Sequence, residues 1–384
     1  MKVLFVVSDS TAYGGTEILT FNIMHKLQEL GIECFLISRY IYEGDKSCVL
    51  NMCKEDYVRF WSLHNNPLNK LTGSKKSNRF FKKVIRKTAV ELHVDWIVNH
   101  TYDLCAAIPT DGFWRTAQVF HWSVKGYESN LMLNVQQKSI VSRLLSMVSL
   151  YNSIKQWHKA IPHFKRLVCL TAAAYEEIRT VGDLNSYDNI CYIPNALMHT
   201  HESKTISTLN NKTIVYVGRL SHEKGVMRLL RIWELVTKQM PDYSLYIYGD
   251  GNERGEMEEY IRKSRLEHVA FKGFSSDLES IYIHADLCLM TSDTEGFGMV
   301  LIEAMYYGVP CISFDCPISP KEIIADAGVI VPCFDEDAYA NSVVELLRNK
   351  KLLNGFQYKS IERAKDFYID KVADMWMKMF NSKD

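Results

Sequence analysis

An excess of charge of either sign is missing from this sequence: 45 Lys and Arg stand against 45 Asp and Glu over 384 residues. A balanced chain has no global field to draw nucleic acid, so only local clusters can argue for a charged partner. No stretch reaches the roughly 18–20 apolar residues of a membrane span, and the apolar run in MKVLFVVSDS is too short for a signal peptide. The ten cysteines contain no Cys-x-x-Cys pair and no Cys/His spacing of a zinc site. Cys34, Cys169, Cys288 and Cys311 sit in strand-like apolar runs, as reduced core thiols of a cytosolic protein do. A GxGxxG fingerprint is absent as well. The only acidic triplet of Asp-x-Asp form, Asp335-Glu336-Asp337, lies far along the chain and reads as a helix start. The expectation is a cytoplasmic protein without a resident metal, able to lie against a membrane face.

What is present is length and apolar content for two cores: 47% of residues are hydrophobic. Lys2 to Ser8 is an apolar run of the kind buried on both faces of a parallel sheet. Gly14-Gly15 follows, then a helix capped by Thr16 with Ile18, Phe21, Leu27 and Leu30 near one face, and a second strand over Ile32 to Ser38. This βαβ start belongs to doubly wound sheets, which bind ligands at the carboxyl ends of their strands. The glycine pair serves either a tight turn or a close approach of backbone to ligand. Further strands are expected at Tyr57–Trp61, Asp95–Thr101, Trp114–Trp122, Arg166–Thr171 and Ile190–Leu197. His121 stands at the end of one of them, a position open to a structural or a functional role. Lys75 to Lys87 holds seven basic residues interleaved with Phe80, Phe81, Val84 and Ile85. On a helix this is either a solvated face over an ordinary core stripe or a surface for anionic lipid, with nucleic acid the weakest reading.

Residues 198–212 are polar and aperiodic, and read as a linker. The second half restarts the alternation of strand and helix, which predicts an α/β fold with a parallel sheet. Its centre is DLCLMTSDTEGFGMVLIEAMYYGVP at 286–310: a buried strand, a polar loop, and a helix opened by Gly296-Phe297-Gly298. Such a turn aims free N–H groups and a helix dipole at one point, which suits an anion. Arg219 and Lys224, in the loop after the first strand of this half, can together neutralise a diphosphate. Glu295 precedes the helix, and Glu303 lies five residues past Gly298, roughly 7.5 Å along it. Two carboxylates flanking a phosphate site point to hydroxyls at both ends of the ligand, as in a nucleotide-sugar.

These residues together resemble the large retaining glycosyltransferase family numbered four, of GT-B fold. The resemblance rests on VGRLSHEKG at 217–225, ADLCLMTSDTEGFGMVLIEAM at 285–305 and GVPCISFDCPISPKEII at 308–324. IPNAL at 193–197, VAFKGF at 269–274 and the glycine pair support it. It implies two Rossmann-like domains facing a cleft: 1–197 for the acceptor and 213–365 for the donor, with a C-terminal helix at 366–384 crossing back. It further implies a sugar nucleotide, UDP-linked in preference to GDP-linked, as donor substrate. Arg219 and Lys224 would hold its diphosphate, Glu303 its ribose and Glu295 its sugar hydroxyls. Gly296, Phe297, Gly298 and Met299 would line the phosphates, Gly273 and Phe274 would face the base, and Gly14 and Gly15 would approach the diphosphate. His121 matches the family's active-site histidine. The implied reaction is metal-independent transfer of a hexose or N-acetylhexosamine, with retention, to a glycan or lipid-linked acceptor. Epimerisation or hydrolysis of the donor without acceptor is the alternative, and a non-catalytic nucleotide-sugar binding module a third possibility. Ser319 stands where many relatives carry glycine.

Overall fold

The apolar runs become parallel strands buried on both faces. In the computed structural model, described over residues 1–9, 15–40, 58–60, 75–121, 124, 140–180, 189–197 and 205–382, the chain divides into two units. One comprises Met1–Ala196 with Ile369–Asp384, the other Leu197–Tyr368. Gly14, Trp122-Ser123 and 198–204 lie outside the described residues.

The first unit contains β1 (Lys2–Asp9), α1 (Gly15–Glu29), β2 (Glu33–Tyr40), β3 (Val58–Phe60), α2 (Lys75–Leu92), β4 (Trp96–Asn99), β5 (Arg115–Phe120), α3 (Ile140–Ala160), β6 (Arg166–Cys169), α4 (Ala172–Thr180) and β7 (Ile190–Tyr192). The strands form one sheet in the order β3-β2-β1-β4-β5-β6-β7. Val3 to Val7 are fully buried, which is why that run carries no polar alternation. The order reverses between β1 and β4, and that reversal leaves a crevice at the strands' carboxyl ends.

Three local expectations change, and an open alternative narrows. Helix α1 begins at Gly15, so Thr16 lies inside it rather than capping it. Leu30 falls beyond its end and is exposed. The last strand stops at Tyr192, not Leu197. In α2, Phe81, Val84 and Ile85 are core residues. The apolar stripe is therefore already covered, and Arg79, Lys83 and Lys87 form its exposed side, the arrangement of a solvated face. The C-terminal helix, Ile369–Asn381, returns to this unit with Val372, Ala373, Trp376, Met379 and Phe380 buried. Phe380 packs on Trp96 and Lys26 pairs with Asp370 at 2.6 Å.

The second unit contains β8 (Thr213–Val217), α5 (Val226–Thr237), β9 (Ser244–Tyr248), α6 (Arg254–Ser264), β10 (Val269–Gly273), α7 (Leu278–Tyr282), β11 (Leu287–Met290), α8 (Met299–Tyr306), β12 (Cys311–Phe314), α9 (Pro320–Ile324), β13 (Gly328–Val331), α10 (Glu336–Arg348) and α11 (Lys350–Ala364). Its sheet runs β10-β9-β8-β11-β12-β13, reversing between β8 and β11 as the first sheet does between β1 and β4. Asp286 precedes β11 rather than starting it, and its carboxylate accepts from the Asn211 and Lys212 amides. Asp335 caps α10 by accepting from the Ala338 amide, so the acidic triplet starts a helix. The end of the linker is built into this core: Leu209 is buried, and Ser207 donates to Ala285 and accepts from Gln357.

Candidate active site

The loops after β8 and β11 meet at the reversal of the second sheet. The Thr291 hydroxyl bonds the carbonyls of Lys224 and Gly225, and the Asp293 amide donates to the Glu223 carbonyl. Gly225 is left-handed at φ +63°, and a Cβ there would stand 2.0 Å from the Thr291 carbonyl oxygen. Only glycine lets the two loops approach this closely.

That approach puts the Lys224 ammonium 2.6 Å from Glu295 Oε1. Glu295 is 6% exposed and accepts a second bond from Ser292 Oγ at 2.6 Å. A buried carboxylate needs such partners. The two residues, expected to serve the diphosphate and the sugar hydroxyls of a ligand, are thus bound to one another. Arg219 stands exposed at the start of the same loop, its carbonyl accepting from Tyr216.

Directly after Glu295, Gly296, Phe297 and Gly298 are buried, and Gly298 turns left-handed (φ +84°) to start α8 at Met299. The first amides of a helix have no intrahelical partner, so they supply donors and the positive end of a dipole. Phe297 is anchored edge-on against Phe367. Glu303 lies further along α8, beside Tyr282 and Tyr307. Burial pushes its carboxyl up to about 7, against a hydrogen bond from Tyr282 that favours the charged form. Gly273 ends β10, at the far edge of the sheet, and Phe274 beyond it is exposed. Ser319 needs no glycine conformation (φ −125°) and its hydroxyl reaches the Glu295 carbonyl at 3.4 Å. The left-handed turn falls instead on Ile318, at φ +90°.

Arg228 escaped the sequence reading. From α5 its Nη1 donates to the Thr291 carbonyl (2.9 Å) and to Asp293 (2.8 Å), while Phe334 lies 4.3 Å from the guanidinium. It fixes the loop that carries Glu295. On sequence it looks like any arginine on an amphipathic helix. Tyr339 was missed too: its hydroxyl accepts from the Met290 amide and donates to the Ile312 carbonyl, holding the end of β11.

A crevice of this kind on a doubly wound sheet serves many chemistries, and comparison with known proteins decides among them. The model of the family Glycosyl transferases group 1 matches residues 199–363. The amylovoran biosynthesis glycosyltransferase AmsD of Erwinia amylovora is 30% identical over 241 residues, 60% of this chain and 68% of that one. The chain is a group 1 glycosyltransferase.

An uncharacterized glycosyltransferase of Haemophilus influenzae is 24% identical to this glycosyltransferase over 98% of both chains. Two solved structures share the two-domain GT-B fold. The lipopolysaccharide outer core galactosyltransferase WaaB has a TM-score of 0.71 at 18% identity over 99% of both chains. Anabaena HepE in complex with UDP has a TM-score of 0.76 at 18% identity over the whole of both.

In the glycosyltransferase's first unit, Gly15 opens α1 and is exposed, and His121 follows β5 largely buried. No described helix is long and apolar enough to cross a membrane.

Proposed function

We propose that this glycosyltransferase is a retaining enzyme of family four. It moves a hexose or N-acetylhexosamine from a UDP-sugar to a hydroxyl of a glycan or lipid-linked acceptor in surface polysaccharide assembly. The observation that carries the reading is the Lys224–Glu295 pair held beside the open N-terminus of α8. That one locus offers a cation and backbone donors for a departing diphosphate, and a carboxylate for hydroxyls. The UDP bound by HepE and the role of AmsD in amylovoran biosynthesis favour the same donor class and pathway type.

The roles follow from charge and hydrogen bonding. Negative charge grows on the β-phosphate as the glycosidic bond breaks. Arg219, Lys224 and the amides at Phe297, Gly298 and Met299 stabilise it where it develops, so a metal is not required. When the diphosphate draws Lys224 towards it, Glu295 is freed to accept from donor-sugar hydroxyls. Glu303 takes the ribose hydroxyls, Gly273 and Phe274 meet the base, and Gly14, Gly15 and His121 are the first unit's contributions. Attack comes from the face the diphosphate leaves, and the leaving phosphate assists removal of the acceptor proton.

The test is transfer from a panel of UDP- and GDP-sugars, with the product's anomeric configuration read by NMR. Retention from a UDP-sugar, with diphosphate release only when acceptor is present, is expected. Inversion overturns the retaining assignment, and donor consumption without acceptor favours an epimerase or hydrolase.

Glu303 gives a pH signature. Its folded pKa, about 7, is raised above the ordinary carboxylate range. Relative to an unperturbed carboxylate it therefore lowers fold stability as pH rises from that range to about 7, with no further change above. Ribose hydroxyls donate to the ionised form. UDP affinity should then rise about tenfold per pH unit below 7 and level off above it. Calorimetry of wild type against Glu303→Gln isolates this term, because UDP's own titration is common to both. Equal pH slopes in the two proteins contradict the ribose role.

A further inference from the structure

The crevice at the reversal of the first sheet holds a histidine that the reading above does not use. His100 directly follows β4, its amide donating to the Val6 carbonyl. His121 follows the neighbouring β5. Asn99, just before His100, pairs in register with Gln118, three residues before His121, and their buried side chains bond at 2.6 Å. This locks the two strand ends and brings the imidazoles together: centroids 5.1 Å apart, planes 30° apart, His100 Nδ1 2.9 Å from His121 Nε2.

Two ring nitrogens at that distance share one proton, and the surroundings decide which ring carries it. His100 is 5% exposed, packed between Phe5 and Trp376 of the C-terminal helix. Its Nε2 is buried with no hydrogen-bond partner among the described residues. If His121 were the donor, the proton of His100 would sit on that Nε2 as a buried, unpaired N–H. If His100 donates from Nδ1, only a bare lone pair is left there. Orphaned buried donors are rarer than under-satisfied acceptors, so the second arrangement is favoured. The rings border a cavity of about 20 Å³ walled mainly by Leu19, Ile23, Val119, Leu170, Ile193 and Val372. It is of the order of one water in size, and the 5% exposure of His100 points to a role through its neighbour. Burial holds both rings below the usual histidine range, His121 at about 4, so both are neutral near pH 7.

We propose that His100 is a positioning residue: by donating from Nδ1 to His121 Nε2 it fixes His121 as the Nδ1–H tautomer. His121 then meets substrate as a hydrogen-bond donor and not as a general base. The proposal rests on His121 facing substrate, and its test separates the two.

Nitrogen-15 NMR of histidine-labelled full-length protein reads the tautomer without any substrate. Wild type should show His121 protonated at Nδ1 and bare at Nε2, and the reverse would overturn the proposal. His100→Leu should release that preference and lower kcat by about tenfold, the loss of one hydrogen bond to the reacting substrate, with a smaller change in donor KM. His100→Asn, which keeps a donor near the Nδ1 position, should restore both tautomer and kcat. A tautomer unmoved in His100→Leu overturns the proposal, as does equal loss of kcat in Leu and Asn variants that remain folded. Full activity in His121→Ala would instead remove the substrate-facing reading, whatever the spectrum shows.

Discussion

Lys224→Ala lowers kcat/KM by about 10²–10³, the cost of removing one preorganised donor from a developing oxyanion. It also destabilises the fold. Glu295 loses its 2.6 Å partner while remaining 6% exposed, and Ser292 alone is left to satisfy it. Lys224 is partly exposed, so the cost lies between that of a surface pair and a buried one, about 2 kcal/mol. The two losses separate in the double variant Lys224→Met/Glu295→Gln. With neither charge left, stability should return close to wild type, while activity stays low. Steady-state kinetics and thermal denaturation of the three proteins check this. Recovery of activity together with stability would mean that the pair is only a structural staple.

Gly225→Ala should be nearly as damaging, for a reason of geometry. Left-handed backbone costs an alanine about 1–2 kcal/mol, and the new methyl would stand 2.0 Å from the Thr291 carbonyl oxygen. That oxygen is what Arg228 holds at 2.9 Å. One loop must therefore move by about an ångström, and a misplacement of that size can cost about 10² in rate. Donor affinity and turnover should both fall, with Tm lowered by several degrees. Gly255→Ala, in α6 with open space around the position, should be neutral or slightly stabilising. Calorimetric UDP titration and melting curves on the pair decide it. Wild-type UDP binding in Gly225→Ala would show that loop register does not matter to the site.

The parts of this fold that could be read in the sequence are those where one local property suffices. Val3 to Val7 and Leu287 to Met290 had to be buried strands because they carry no polar alternation. Gly298 announced a helix start, and Lys224 and Glu295 stood beside glycines at strand ends. What could not be read depends on partners distant in sequence. The bond between Lys224 and Glu295 spans 71 residues, and that between Arg228 and Thr291 spans 63. Nothing local marks either. The basic helix at 75–87 offered a stripe that core or lipid could cover, and only the packing of Phe81, Val84 and Ile85 chose the core. His100 had a weak signal, a polar pair, Asn99-His100, ending an apolar strand next to the reversal of the sheet. Ser319 was suspect as a replaced glycine, yet the turn moved its left-handed residue to Ile318.

The central claim is that a nucleotide-sugar lies across the loops after β8 and β11. Hydrogen–deuterium exchange of the full chain with and without saturating UDP tests it most directly. Slowed exchange at Phe297, Gly298 and Met299 and across 218–225, absent in Lys224→Ala at the same UDP concentration, is the predicted result. Protection confined to other strand ends, or none at saturation, would contradict it.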